Sequence, residues 1–129
     1  MKFLTLREVP GFLALLRLPA GSKLPDWATN GSFWCAVSTP DGLSLVCDPR
    51  SLPAILPGLR IEGPWRAFRV DGTLDLALTG ILASLSAPLA KAGISIFAVS
   101  TFDTAYLLVK ADTWEAAKAA LAGAGHQVT

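Results

Sequence analysis

The stretch Leu74–Lys110, LDLALTGILASLSAPLAKAGISIFAVSTFDTAYLLVK, carries the strongest structural pattern in this chain. Its first half repeats leucine and isoleucine at the i, i+3, i+4, i+7 spacing of a single helical stripe, from Leu78 to Leu89. Polar residues before this stripe and Gly93 after it predict a helix over Asp75–Ala92. An apolar stripe needs a surface to cover, so we expect the helix to pack on a sheet.

Two strands joined by a tight turn are predicted after this helix. Ile94–Val99 is almost wholly apolar, which is typical of a strand covered on both faces. Phe102–Thr104 then turns the chain, and Tyr106–Val109 returns as the second strand. Inside the helix Pro88 has no N–H to donate, so it removes the helical hydrogen bond to the carbonyl four residues earlier.

The rest of the chain reads as short elements separated by proline and glycine. Its strongest hairpin signal is Thr39–Gly42, because proline, aspartate and glycine in succession suit a tight turn. The other predicted strands are Phe3–Val9, Phe12–Leu18, Phe33–Thr39, Leu43–Cys47, Trp65–Val70 and His126–Thr129. The other predicted helical segments are Pro25–Thr29, Ser51–Leu56 and Trp114–Leu121, with Leu59–Gly63 as a linking stretch.

Length, composition and charge limit the classes of protein to which the chain could belong. A length of 129 residues fits one domain or two very small modules, and 52% hydrophobic against 16% charged residues indicates a globular chain. The net charge of +1 gives no electrostatic reason to expect a nucleic acid or an acidic membrane as partner. The apolar run near the N-terminus is too short for a signal peptide or a membrane span, so we expect a cytoplasmic protein with Cys35 and Cys47 as buried free thiols.

An internal repeat links the two halves of the chain. Ala36–Asp41 matches Ala98–Asp103 in five of six positions at an offset of 62 residues. Leu45-Val46 and Leu108-Val109 extend the match if one residue is inserted. Both copies fall on a strand that enters a turn and returns as a strand, which predicts two related modules.

The predicted modules are 1–62 and 63–129. The second has the full order strand, helix, strand, strand, helix, strand, and the first has the same order with a shortened helical part. That order packs as a four-stranded antiparallel sheet backed by two helices on one face. The predicted fold class is therefore α+β, with two ferredoxin-like (βαββαβ) modules in tandem.

Several segments of the second module together resemble the ACT domain: Val70-Asp71-Gly72, the TGI of Thr79–Ile81, the GISI of Gly93–Ile96 and the STFDT of Ser100–Thr104. The similarity is to small bacterial tandem-ACT proteins related to the aspartate kinase regulatory domain, and to the arginine-sensor proteins of animal nutrient signalling. The resemblance implies a non-catalytic regulatory module that binds a free amino acid at an interface between ACT units. It also implies a homodimer that acts on an unidentified regulated protein and needs no cofactor.

The chemistry of a free amino acid suits two places in the second module. An α-carboxylate needs unpaired N–H groups, which the predicted first helical turn would offer, and glycine lets a ligand approach the backbone. An α-ammonium needs carbonyls or a carboxylate, which the predicted turn after Val99 supplies. The candidate ligand-binding residues are Gly72, Leu74, Asp75, Thr79, Gly80, Ser100, Thr101, Phe102 and Asp103, of which the resemblance to the arginine sensors favours Thr101, Phe102 and Asp103.

Other interpretations stay open at this point. Asp103 and its repeat equivalent Asp41 are also ordinary turn residues, and His126 is expected to be a solvated surface residue. No nucleophile with a base, paired acids, metal-spaced cysteines or phosphate loop is present, so we predict neither an enzyme nor a metal site. Phe97 and Tyr106 could stack on RNA bases, but the aromatic and basic pattern of such modules is absent. The competing function is an interaction or dimerisation module without a ligand.

Overall fold

A computed structural model describes residues 3–53, 60–72 and 79–129. The strands within these ranges are β1 (Thr5–Leu18), β2 (Cys35–Thr39), β3 (Gly42–Cys47), β4 (Arg60–Val70), β5 (Ile96–Ser100), β6 (Ala105–Lys110) and β7 (Gln127–Val128). The α-helices are α1 (Ile81–Lys91) and α2 (Trp114–Gly123), and the 3-10 segments are Asp26–Thr29, Pro49–Ser51 and Ala111–Thr113. No described helix is long and apolar enough to cross a membrane.

The chain forms two compact units whose division falls inside both long strands. The C-terminal unit comprises Met1–Pro10 and Arg66–Thr129, and the N-terminal unit comprises Gly11–Trp65. Strands β1 and β4 are therefore each divided, with one part in the N-terminal unit and the other part in the C-terminal unit. The compact units group the first ten residues with the C-terminal part of the chain, whereas the predicted modules divide the sequence once, between residues 62 and 63.

Each unit has the strand order of a ferredoxin-like module. In the N-terminal unit the order is β2, β3, β1, β4, and in the C-terminal unit it is β5, β6, β4, β1. Strand β7 pairs with β1 in parallel, so the predicted closing strand of the module forms as an extra outer strand. The position expected for it, beside β4, is taken by the beginning of β1. The predicted α+β class, an antiparallel sheet with two helices in a tandem ACT-like arrangement, is confirmed.

The predicted breaks in the two long strands are wrong. Pro10 and Gly11 do not separate two strands, because β1 continues through both, with Gly11 at a φ of 85°. A proline and a glycine can be tolerated inside a strand where the ladder is locally interrupted. Similarly, most of the predicted link Leu59–Gly63 is strand, since β4 begins at Arg60.

Helix α1 begins later than the periodicity predicts. Gly80 precedes the helix with a φ of 75°, a left-handed conformation that interrupts the helical path before Ile81. Thr79 and Gly80 are therefore outside the helix, and 75–78 lie outside the described residues. Gly93, also at a φ of 75°, follows the helix as predicted. The leucine stripe runs across this boundary because hydrophobic spacing does not report backbone dihedrals.

In the C-terminal unit the helices cover one face of the sheet. Leu6, Phe68, Val70, Leu107 and Val109 alternate along their strands and are buried with residues of both helices in one apolar core. Phe68 stacks on Trp114 of α2 at a ring separation of 4.1 Å, which joins sheet and helix directly. Leu85, Leu89, Ala117 and Leu121 complete the helical side of this core.

In the N-terminal unit a smaller core packs under 3-10 segments in place of α-helices. Ala14, Leu16 and Leu18 of β1 are buried with Leu45 of β3 and Ala28 of the first 3-10 segment. The predicted helix Ser51–Leu56 is represented by Pro49–Ser51, and its last residues lie outside the described part of the chain. The shortened helices predicted for this half are thus present as single turns.

Both cysteines have free thiols. Cys47 is buried and Cys35 is half-buried. Burial raises the pKa of each thiol. Cys47 belongs to the buried cluster of the N-terminal unit, while Cys35 alternates with Ala36, which packs against that cluster. The two thiols therefore lie on opposite faces of their strands.

The repeat in the sequence is also a repeat in strand register. Ala36 pairs with Leu45 in one unit, and Ala98 pairs with Leu107 in the other. Both members of each pair are related by the same offset of 62 residues, so the inserted residue inferred from the sequence is wrong. Leu107 rather than Leu108 corresponds to Leu45.

His126 is buried rather than solvated, with an exposure of 4%. Its Nε2 donates to the Ser84 carbonyl at 2.9 Å, and its Nδ1 accepts from the Leu4 N–H at 3.1 Å. These two contacts define one neutral tautomer. The Ser84 carbonyl needs a donor because Pro88 cannot supply the helical one. The imidazole thus satisfies a carbonyl that the proline leaves open.

Candidate functional site

The turn between β5 and β6 satisfies three of its backbone donors within itself. Thr101 Oγ1 accepts from the N–H of Asp103 at 3.3 Å and of Thr104 at 3.0 Å. The Thr101 N–H donates to the Thr104 carbonyl at 2.8 Å. This network holds the turn in one shape through the Thr101 side chain and does not use the side chain of Phe102 or Asp103.

The residues of this turn before Thr104 are exposed to solvent. Phe102 is 81% exposed, and Ser100, Thr101 and Asp103 are also exposed. The carboxylate of Asp103 has no hydrogen bond or ion pair with any described residue. A carboxylate held on a fixed turn with its oxygens free can accept hydrogen bonds from a cation.

Thr104 joins the turn to the end of β4. Its side chain is buried, and Oγ1 donates to the Val70 carbonyl at 2.7 Å. Val70 is followed directly by Asp71 and Gly72, the start of the predicted ligand loop. The structure therefore brings the turn and the beginning of that loop together. Sequence analysis missed Thr104 because a threonine after a turn gives no sign of a partner 34 residues away.

The other half of the predicted site is described only in part. Leu74 and Asp75 lie outside the described residues. Gly72, Thr79 and Gly80 are exposed, and no hydrogen bond joins Thr79 or Gly80 to the turn within the described ranges. Added Cβ atoms at Gly72 and Gly80 would meet no atom within 4 Å, so both backbones are open to approach.

At the N-terminus of α1 the described residues provide no side-chain cap for the backbone donors. The predicted donors were those of the segment 74–79, but the helix begins at Ile81, so the first-turn N–H groups are those of Ile81, Leu82 and Ala83. No side chain caps them, because the residue before the helix is Gly80. The Ser84 N–H already donates to the Gly80 carbonyl at 2.9 Å.

Asp71 is held at the start of the loop by its neighbours. Its N–H donates to the Thr5 carbonyl at 2.8 Å, and its Oδ1 accepts from Arg7 Nε at 2.8 Å. The hydrogen bond from Arg7 is the main cause that lowers the pKa of the Asp71 carboxyl, with Arg69 adding a smaller contribution. No cluster of histidine, cysteine or carboxylate side chains that could hold a metal ion occurs among the residues described.

The N-terminal unit repeats the turn but has no counterpart of the Thr104 hydroxyl that donates to the end of a strand. Thr39 Oγ1 accepts from the Asp41 N–H at 3.2 Å, as Thr101 does for Asp103. Gly42 stands where the other turn has Thr104, and a Cβ there would lie 2.7 Å from the Leu18 carbonyl oxygen. In one unit the threonine hydroxyl donates to the Val70 carbonyl, and in the other the glycine leaves the space that the Leu18 carbonyl occupies.

A search of curated proteins gives no match. The family model described as ACT domain matches residues 60–123. The chain belongs to the ACT domain family. Its match begins with β4 and ends with α2, so it spans the turn and the loop described above. Membership was predicted from the TGI, GISI and STFDT segments and is confirmed.

Solved structures similar to this ACT domain protein cover nearly its whole length. The protein Atu0741 from Agrobacterium tumefaciens is 35% identical, with a TM-score of 0.90 over 100% of this chain and 94% of that one. The regulatory subunit of aspartate kinase from Thermus flavus is 12% identical, with a TM-score of 0.68 over 95% and 99% of the two chains. The aspartate kinase of Clostridium acetobutylicum is 15% identical, with a TM-score of 0.69, over 96% of this chain and 35% of that enzyme. At such low identity the two kinase likenesses show the fold alone.

Replacing Thr104 with valine tests the anchor of the turn. The substitution keeps the shape but leaves the Val70 carbonyl without its donor, so we expect the free energy of unfolding to fall by about 1–3 kcal/mol. Urea denaturation measures the change. Thr29→Val is the control, because its hydroxyl makes the same kind of contact, to the Asp26 carbonyl at 2.9 Å, at an exposed position. Equal losses in both variants would contradict an anchoring role for Thr104.

Proposed function

We propose that this ACT domain protein is a non-catalytic regulatory sensor that binds a free amino acid at an interface between ACT modules. It acts as a homodimer on a regulated protein that is not yet identified, and it needs no cofactor. The kinase regulatory subunits, which share its fold, support the regulatory part of the proposal. The modules proposed are 1–62 and 63–129, and the location proposed is cytoplasmic.

The observation that carries the proposal is the exposed carboxylate of Asp103, which has no partner among the described residues, on a turn held by the Thr101 hydroxyl. It offers a partner for an α-ammonium group. The uncapped N-H groups at the start of α1 offer a partner for an α-carboxylate, and the helix dipole favours a negative charge there. A free amino acid carries both an α-ammonium and an α-carboxylate, so one small ligand could use both of these partners. Thr101 and Phe102 would then border the ligand, and Gly72 and Gly80 would let it approach.

A thermal-shift screen against the twenty amino acids at millimolar concentration tests this function. A ligand present at 100 times its dissociation constant stabilises the folded state by about 2.7 kcal/mol. That stabilisation raises the unfolding temperature by several degrees for a chain of this size. We expect one amino acid, or one chemical class, to stand out. If none of the twenty amino acids raises the unfolding temperature, and calorimetry also detects no binding, the result would contradict an amino-acid sensor.

The alternative is an interaction or dimerisation module without a ligand. The observation that favours it is Phe102, whose ring is 81% exposed at the tip of the turn. An aromatic side chain in that position can bury apolar area against a partner. Phe102→Ser should then weaken self-association measured by analytical ultracentrifugation while leaving the unfolding temperature unchanged. Weaker self-association of Phe102→Ser, together with no amino acid that raises the unfolding temperature in the screen, would favour the alternative.

A further inference from the structure

The imidazole of His126 joins the beginning of the chain to helix α1. Its Nδ1 accepts from the Leu4 N–H just before β1, and its Nε2 donates to the Ser84 carbonyl inside α1. The backbone N–H of His126 itself donates to the Leu121 carbonyl of α2 at 3.1 Å, which fixes the ring between the two. All of these residues belong to the C-terminal unit. A change in the hydrogen bonding of this one ring therefore acts on contacts between segments that are far apart in sequence.

Protonation of this ring changes one of its two contacts and keeps the other. In the neutral tautomer Nδ1 is an acceptor, and a proton added to the ring goes to that nitrogen. The Leu4 N–H, 3.1 Å away, would then face a second donor and lose its acceptor. The Nε2–H still donates to the Ser84 carbonyl, so the contact with α1 remains. Protonation therefore acts on the beginning of the chain.

The described surroundings of the ring provide no negative charge to balance a proton. His126 is buried, and the segment from Ala124 to Val128 carries no other ionisable side chain. The charged side chains on the elements packed against it, the start of β1, α1 and α2, are Arg7, Glu8, Lys91, Glu115 and Lys118. No hydrogen bond or ion pair joins any of them to the imidazole. A buried charge without a partner is unfavourable, so the folded arrangement suits the neutral ring.

Phe3 covers the ring from outside. It approaches the imidazole edge-on, with the ring centroids 6.5 Å apart, and it packs against Gly125, where a Cβ would lie 2.5 Å from Phe3 Cε1. Phe3 is nevertheless 64% exposed, so it can leave this position without uncovering a large apolar area. Leu4 is buried in the core of the unit, so the loss of its hydrogen bond also lowers the stability of the fold.

We propose that His126 is a pH switch for the beginning of the chain. The neutral imidazole holds the Leu4 N–H and the Phe3 ring, and the protonated imidazole releases both. The folded state binds the neutral form, so the switch stabilises the fold fully above about pH 6.5, where a histidine of an unfolded chain titrates. Its contribution is lost as the pH falls below that value, which is the range in which histidine sensors act.

Urea denaturation between about pH 8 and about pH 5.5 tests the proposal. His126 is the only histidine in the chain, ordinary carboxyl groups titrate below this range, and burial raises the pKa of the Cys35 and Cys47 thiols away from it. We expect the unfolding equilibrium constant to rise by up to about tenfold per pH unit below about pH 6.5. His126→Gln takes up no proton and should lose this dependence. The same dependence in the variant, or none in the natural chain, would overturn the proposal.

Amide hydrogen exchange of the natural chain tests the switch without a substitution, and so applies even if His126→Gln does not fold. Protection factors, which correct for the effect of pH on the intrinsic exchange rate, are compared at the two ends of the pH range. The protection of the Leu4 N–H should fall at least about tenfold more than that of the Ile94 N–H. Ile94 is the control because its N–H donates to the Leu89 carbonyl at 2.9 Å in the same unit. Equal changes at both amides, or unchanged protection at Leu4, would overturn the proposal.

Discussion

Replacing His126 with alanine is expected to lower the free energy of unfolding by about 3 kcal/mol or more, since each buried backbone group left without a partner costs roughly 1–3 kcal/mol. The groups concerned are the Ser84 carbonyl and the Leu4 N–H, which the imidazole contacts at 2.9 and 3.1 Å. For a chain of this length the unfolding temperature should fall by about 10 °C. Thermal and urea denaturation followed by circular dichroism measure both quantities.

A second substitution separates the two contacts of His126. Pro88→Ala restores an N–H that can donate to the Ser84 carbonyl from within the helix. In that background the loss of His126 leaves only the Leu4 N–H unsatisfied, so we expect it to cost about 1–2 kcal/mol less than in the natural chain. Additive losses in the double variant would show that the imidazole and the proline are not coupled through Ser84.

The removal of the Asp103 carboxylate should have the largest effect on ligand binding. Asp103→Ala is expected to weaken the affinity for the amino acid found in the screen by roughly 10- to 100-fold, the range for a hydrogen bond to a charged group. Stability should change by no more than about 0.5 kcal/mol, because the exposed carboxylate has no described partner. Calorimetric titration and urea denaturation measure the two effects.

Asp41→Ala is the matched control for this variant. Asp41 occupies the equivalent turn, and its N–H bonds to Thr39 as that of Asp103 bonds to Thr101. The two substitutions therefore remove the same side chain from the same backbone setting. We expect Asp41→Ala to leave the ligand affinity unchanged. Unchanged affinity in Asp103→Ala would remove Asp103 from the site, and equal losses in both variants would assign a ligand to each turn.

Local patterns in the sequence predicted most of the elements and the family. The leucine stripe predicted the body of α1, and the Thr39–Gly42 signal predicted the hairpin formed by β2 and β3. The match of Ala36–Asp41 with Ala98–Asp103 predicted two turns with the same geometry, and the structure pairs both in the same register. These predictions are correct because turn chemistry and helical periodicity act between residues that are close in sequence.

Contacts between distant parts of the chain were decided only by the tertiary structure. His126 is buried and donates to the Ser84 carbonyl, which Pro88 leaves without a helical donor, and Thr104 donates to the Val70 carbonyl, 34 residues earlier. Arg7 meets Asp71 only because β1 lies beside β4. The sequence by itself determined most of the elements, the existence of the repeat and the family. Which polar groups satisfy one another, and so which side chains remain available for a ligand, depends on strand pairing that no local pattern encodes.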